Sequence, residues 1–136
     1  MHNLTHSVQT VSVIGLGYIG LPTATIFAEC GLKVIGVDVN SVAVDTINRG
    51  EIHIVEPELD KAVHDAVSRG ALYATLDPEP ADAFLIAVPT PFIGEDHEPD
   101  LSYIEAACHS IAPHLRVGNM VVLESTSPVG ATERMA

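Results

Sequence analysis

Positive charge is what this sequence has least of. Six Lys and Arg residues stand against 18 Asp and Glu, giving a formal charge of −12 over 136 residues. Phosphate backbones and anionic bilayers are gripped by Lys and Arg, so nucleic acid and membrane are excluded as partners. An anionic ligand would have to be held by local N–H groups against an unfavourable overall field. Aromatic residues are also scarce, at 4%, while 47% of the chain is hydrophobic. The interior must therefore be aliphatic, which suits a parallel sheet buried on both faces. No apolar run approaches the ~20 residues that span a bilayer. Residues Met1–Gln9 have neither the basic n-region nor the apolar h-region of a secretory leader, and a soluble, cytoplasmic protein is expected. Cys30 and Cys108 lie far apart, each in a helical pattern with apolar neighbours, and are expected as buried free thiols of a reducing compartment.

What is present is an ordered series of buried runs separated by amphipathic ones. The length indicates one domain that buries about two-thirds of its unfolded surface. Residues 1–9 read as a flexible polar arm, and residues 10–136 as the domain. Its opening unit is the most informative stretch. Val11–Ile14 is a short β-branched strand, ending in Gly15-Leu16-Gly17-Tyr18-Ile19-Gly20, and an apolar helical pattern follows through Phe27 and Ala28. A second buried run, Val34–Val37, closes on Asp38. Strand, glycine turn, helix, strand and acid is the order of a dinucleotide-binding βαβ unit. Gly15 allows a sharp turn off the strand, Gly17 a close approach of the backbone to a pyrophosphate, and Gly20 tight helix–strand packing. The helix start offers unpaired N–H groups and the positive end of its dipole to an anion. Asp38, 18 residues past Gly20, suits a carboxylate accepting from both ribose hydroxyls. It would repel a 2′-phosphate, and no Arg or Lys follows within ten residues, so the expected cofactor is NAD rather than NADP. Pro22 falls early in the helix and is expected to remove one hydrogen bond without breaking it.

Asn40 or Ser41 caps a second helix with apolar positions Val42, Val44 and Ile47, ended by Asn48-Arg49-Gly50. A loop follows, and Pro57 with Glu58 is predicted to open a helix whose stripe is Leu59, Ala62, Val63, Ala66 and Val67, ended by Gly70. Leu72–Thr75 is a strand, and Ala83–Val88 the best candidate for a central one. Pro89-Thr90-Pro91 forbids both helix and sheet. Phe92–Asp100 reads as an acidic loop, and Asp100 as the cap of a helix with stripe Leu101, Ile104, Ala107, Cys108 and Ile111. Asn119–Leu123 is the last strand, and a helix starts at Thr132. Such alternation predicts a Rossmann-type, doubly wound α/β fold with a mostly parallel sheet and helices on both faces. The glycine turn, Asp38, Val88–Pro91 and Glu124–Gly130 then all leave the carboxyl ends of strands, where ligands sit in such sheets.

The sequence resembles the UDP-glucose/GDP-mannose dehydrogenase family over Val11–Met135, specifically its N-terminal NAD-binding domain. The segments that carry this are Val-Ile-Gly-Leu-Gly-Tyr-Ile-Gly-Leu-Pro (13–22), Gly-Val-Asp (36–38), Glu-Pro-Glu-Leu (56–59), Val-Pro-Thr-Pro (88–91), Glu-Pro-Asp-Leu-Ser-Tyr (98–103) and Glu-Ser-Thr-Ser-Pro-Val-Gly (124–130). Within the family, residues 48–57 are most similar to the branch that oxidises UDP-N-acetyl-D-mannosamine. The resemblance implies oxidation of a sugar C6 alcohol to a carboxylate by two hydride transfers to NAD, feeding surface polysaccharide synthesis. It implies that Tyr18 and Ile19 offer backbone N–H groups to the pyrophosphate and that Asp38 holds the adenosine ribose. It further implies that Thr90 lines the cofactor and that Thr126 and Thr132 lie at its nicotinamide end. A homodimeric longer enzyme with a UDP-sugar substrate is implied as well. The family's nucleophilic cysteine, in a Gly-Gly-His-Cys type motif, and its Lys and Asn partners have no counterpart here, so no catalytic residue is assigned and the chain is expected to bind NAD without oxidising sugar. Sister enzymes acting on UDP-glucose or another UDP-hexosamine remain alternatives.

Plainer readings stand beside these. Thr90 between prolines is also what a rigid turn needs, and Thr126 what a turn or cap needs. The histidines lack zinc spacing, and the acidic loop lacks calcium spacing, so no metal is expected. A non-catalytic nucleotide-sensing module would share the glycine loop and the acid. It would not account for the Pro-Thr-Pro or Glu-Ser-Thr-Ser-Pro segments.

Overall fold

A computed structural model of the chain describes residues 7–96, 98–124 and 131–136. Its frame is a five-stranded sheet of order β3-β2-β1-β4-β7. The strands are β1 (Thr10–Ile14), β2 (Lys33–Val37), β3 (Leu72–Thr75), β4 (Ala83–Ile86) and β7 (Met120–Leu123), every neighbouring pair parallel. β1 holds the middle position, with β4 beside it. The chain therefore winds to one side through β2 and β3, then returns across β1 to build the other side. That reversal opens a crevice between β1 and β4 at their carboxyl ends.

Strand alternation divides the interior in two. Val11, Val13, Val34 and Leu85 face helices α1 (Gly20–Glu29), α2 (Ser41–Asn48) and α3 (Leu59–Ser68), through Leu21, Ala24, Ile47 and Val63 among others. Ile14, Ile35, Val37, Phe84 and Ile86 face the other way, against Ala107 and Ile111 of α4 (Ser102–Ile111) and Met135 of α5 (Ala131–Met135). Helices cover both faces, as the sequence pattern predicts, and the core is aliphatic apart from Phe84.

Several local expectations are corrected. Val42 lies 68% exposed, and Ala43 takes its place in the core. Pro57 and Glu58 do not open α3: Glu58 adopts a left-handed φ of 64° as its N-cap, and Asp60 is the acid of the first turn. Residues 92–100 are not wholly loop, because β5 (Phe92–Ile93) and β6 (Glu98–Pro99) pair antiparallel. Asp100 accepts from Ser102 N at 2.9 Å, though the N-cap position of α4 is Leu101. Val8 and Gln9, read as part of the arm, are tied down: Val8 packs on the core, and Gln9 O accepts from Lys33 N at 3.0 Å. Cys30 caps the end of α1 and is exposed, not buried. Cys108 is half-buried, and burial, aided by the charge of Glu105, pushes its thiol pKa up. Neither cysteine is bonded to the other. No described helix is long and apolar enough to cross a membrane.

Candidate functional site

The turn after β1 is built by contacts that leave no room for side chains. Gly15 has φ +97°, and a Cβ there would lie 2.6 Å from the Ala87 carbonyl oxygen at the end of β4. A Cβ on Gly20 would collide with the Gly15 carbonyl. Gly17 differs: nothing lies within 4 Å of where its Cβ would be. Its backbone borders open space, as a position approached by a ligand must. Gly15 N donates to Val37 O at 2.8 Å, which locks the turn to the end of β2.

α1 then begins with its amino end bare. The Ile19 N-cap makes no side-chain hydrogen bond, and the first turn holds no acid. Leu21 N donates to Gly17 O at 3.1 Å and Thr23 N to Ile19 O at 3.3 Å. Pro22, between them, has no proton to give to Tyr18 O. One bond is lost and the helix continues on both sides, as expected. The N–H groups of residues 18–20 precede these bonds and carry the positive end of the helix dipole.

Asp38 meets this turn directly. Its Oδ2 accepts from Leu16 N at 3.0 Å and its Oδ1 from Asn40 N at 2.9 Å. Each oxygen keeps acceptor capacity for a further donor. The carboxylate stands on the rim of an open cleft of about 400 Å³. Gly15, Gly17, Tyr18, Ile19, Asp38 and Thr90 all line it, so six of the nine sequence-assigned residues converge on one space. Gly20 is buried beneath them. Thr126 lies outside the described residues. Thr132 sits exposed in α5 and does not line the cleft.

Sequence reasoning missed three contributors. Leu16, given no role by the glycine pattern, holds Asp38 through its N–H, and its fully buried side chain sits against Gly36. Val39, 92% exposed beside Asp38, and Tyr103, 47% exposed on α4, give the cleft apolar walls. Their signal was placement: Val39 follows the strand-ending acid, and Tyr103 follows the loop that leaves Thr90. Further along the same rim, Glu124 Oε1 lies 2.7 Å from Thr23 Oγ1, which joins the end of β7 to α1.

A glycine cradle, a helix amino end without a side-chain cap and a rim carboxylate together fit a dinucleotide. The fold and this site define a Rossmann-type dinucleotide-binding domain. Residues 9–136 match the UDP-glucose/GDP-mannose dehydrogenase family, NAD binding domain, and the chain belongs to that family. It is 68% identical over 130 residues to a UDP-N-acetyl-D-mannosamine dehydrogenase of Yersinia pestis, covering 96% of this chain and 31% of that protein. It is 67% identical over 128 residues to an NDP-N-acetyl-D-galactosaminuronic acid dehydrogenase of Ralstonia nicotianae, covering 94% of this chain and 30% of that protein. Among solved structures, the UDP-N-acetyl-mannosamine dehydrogenase of Staphylococcus aureus superposes with a TM-score of 0.88 at 40% identity, over 91% of this chain and 30% of the other. A ternary complex of GDP-mannose dehydrogenase from Pseudomonas aeruginosa gives 0.85 at 35% identity, over 92% and 30%. The chain thus spans under a third of the length of these relatives.

Proposed function

We propose that this chain is the NAD-holding part of a nucleotide-sugar 6-dehydrogenase acting on UDP-N-acetyl-D-mannosamine, and that as a separate chain it binds NAD without oxidising sugar. The observation that carries the reading is the Asp38 carboxylate, 3.0 Å from Leu16 N on the rim of the glycine cleft. In this reading the N–H groups of Tyr18 and Ile19 hold the pyrophosphate, Gly15, Gly17 and Gly20 let it approach, and Asp38 accepts from the adenosine ribose. Val39 and Tyr103 shield the adenosine half from water. Thr90 borders the cofactor between its prolines, while Thr126 and Thr132 are assigned to the nicotinamide end on the strength of the motif alone.

Bound NAD would supply the hydride acceptor, twice per sugar, with one water consumed on the way from alcohol to carboxylate. This chain's own part is to bind and orient. The nucleophilic cysteine and its Lys and Asn partners would come from the rest of a longer enzyme, as would the UDP-sugar pocket and the homodimer contacts. The two relatives above are named for different N-acetylated hexosamines, so a UDP-hexosamine other than the mannosamine is the second reading. Cytoplasmic surface-polysaccharide biosynthesis is the setting that goes with either.

Calorimetric titration with NAD and NADP tests the cofactor assignment. NAD should bind, and NADP should bind at least tenfold more weakly. Equal affinity for both would overturn the ribose role of Asp38. Formation of NADH from UDP-N-acetyl-D-mannosamine by the purified chain would overturn the inactivity.

A further inference from the structure

Glu124 heads the Glu-Ser-Thr-Ser-Pro-Val-Gly segment and stands where β7 ends. Its backbone is fixed: Glu124 N donates to Ile86 O at 2.9 Å, which continues the pairing of β4 with β7. Its side chain reaches back to α1, where Oε1 lies 2.7 Å from Thr23 Oγ1. The Thr23 hydroxyl has one proton and two acceptors in range, because Ile19 O lies 2.9 Å away. Ile19 O already receives Thr23 N at 3.3 Å, whereas Glu124 Oε1 has no other donor among the described residues. The proton therefore goes to Glu124.

Two features set this bond apart from an ordinary surface contact. The first is where it acts. α1 packs on β1, β2 and β3, the middle strand and the half of the sheet that carries Asp38. The bond to Glu124 ties the helix from the other half, to the strand beyond β4. Thr23 lies in the opening turn of α1, directly after the N–H groups of residues 18–20. The second feature is energetic. Glu124 Oε2 is buried and has no hydrogen-bond partner among the described residues. A buried acceptor left without a donor costs folding free energy. The carboxyl thus gives the fold little, and gives the helix end a fixed position.

We propose that Glu124 is a positioning residue for the dinucleotide: through Thr23 it fixes the amino end of α1 from the β7 side, as Asp38 fixes the glycine turn from the β2 side. The inference rests on the cofactor reading above and deepens it at the phosphate-holding end of the helix. The two acids bracket the turn. Asp38 accepts from Leu16 N at its start, and Glu124 from Thr23 just past its end. The N–H groups of residues 18–20 lie between these anchors, so the helix end cannot shift without breaking one of them. Hydrogen bonds weaken steeply when misaligned. A helix end already held in place meets the pyrophosphate without the cost of ordering it. Adenosine has no phosphate to place there, so its binding does not depend on the tie.

The test compares two neutral variants, so that removing a negative charge near the pyrophosphate cancels out. Glu124→Gln keeps an acceptor for Thr23, and Glu124→Met removes it at similar size. In calorimetry Glu124→Met should bind NAD about three- to tenfold more weakly than Glu124→Gln, the loss of one hydrogen bond. Thr23→Val should be weaker than Thr23→Ser by a like factor. In the Thr23→Val background Glu124→Met should cost nothing more than Glu124→Gln, because the two residues act as one unit. Adenosine affinity, read by NMR titration, should be the same in both Glu124 variants, and Glu124→Met should melt no lower than Glu124→Gln. A merely structural role would instead lower Tm and both affinities together. Equal NAD affinity in the two Glu124 variants, an equal loss for adenosine, a lower Tm for Glu124→Met, or additive effects at 23 and 124 would each overturn the proposal. A wild type that binds neither NAD nor adenosine would sink the cofactor reading, and this inference with it.

Discussion

Two aspartates, one at each end of the same sheet, do the same local chemistry. Asp38, at the carboxyl end, accepts from the N–H groups of Leu16 and Asn40. Asp82, at the amino end, accepts from Gln9 and Thr10, both at 2.9 Å. Each carboxylate ties a chain entry or exit to a strand. They differ in how the oxygens are used and in what lies opposite. Asp38 spreads its bonds over both oxygens and faces an open cleft lined by glycine backbone. Asp82 takes both on Oδ2 and lines a smaller hollow, about 180 Å³, with Val8, Val117 and Asn119. Residue type and hydrogen bonding do not by themselves separate a ligand-binding acid from a structural one. The polarity of the parallel sheet does, because only one end gathers helix amino termini and glycine turns.

Asp38→Ala should produce the largest effect. Hydrogen bonds to a charged acceptor contribute about 1.5–3 kcal/mol, so NAD affinity should fall by about ten- to a hundredfold. Asp82→Ala, by contrast, should leave the NAD dissociation constant within about twofold while lowering Tm, since it frees Gln9 and Thr10 without touching the cleft. Calorimetry and thermal unfolding on both variants check the pair. If the two substitutions weakened NAD binding alike, the division between the ends of the sheet would fail.

Acid sharpens the same contrast. The backbone bonds from Gln9 and Thr10 hold the Asp82 carboxyl below its ordinary value of 3.8. A depressed folded pKa stabilises the protein fully above the unfolded value, and that contribution is lost as pH falls through the folded one. Asp82→Asn keeps a neutral acceptor and cannot titrate. The Tm advantage of wild type over this variant should therefore be present near neutrality and shrink below about pH 4. A gap that stays constant down to about pH 2 would mean the charge on Asp82 contributes nothing.

Asp38 was legible in the sequence because its context is local: strand, glycine turn, helix and acid follow one another within one unit. The sheet was legible for a similar reason, since strands buried on both faces leave unbroken β-branched runs. Asp82 was not, because its partners lie 72 and 73 residues earlier in the chain. Asn48 was read as part of a helix ending, and its hold on Ala74 spans 26 residues. Pro57-Glu58 misled because a proline at a helix start and a proline in the turn before one look alike until the left-handed φ of Glu58 is seen. Val42 and Cys30 misled because apolar spacing along a short helix admits two phases, and tertiary packing picks one.

The smallest expected effect concerns the strand that joins the two ends. Ser12, in the middle of β1, is fully buried, and its hydroxyl has no hydrogen-bond partner among the described residues. An unsatisfied buried polar group costs about 1–3 kcal/mol, and deleting one oxygen leaves a void that takes part of this back. Ser12→Ala should therefore be neutral to stabilising, by up to about 1 kcal/mol, a rise in Tm of no more than ~5 °C. NAD affinity should not change, because Ser12 lies in the middle of β1 and does not line the cleft. A loss of stability would mean that the hydroxyl is bonded after all, and that the centre of the sheet carries a polar tie like those at its ends.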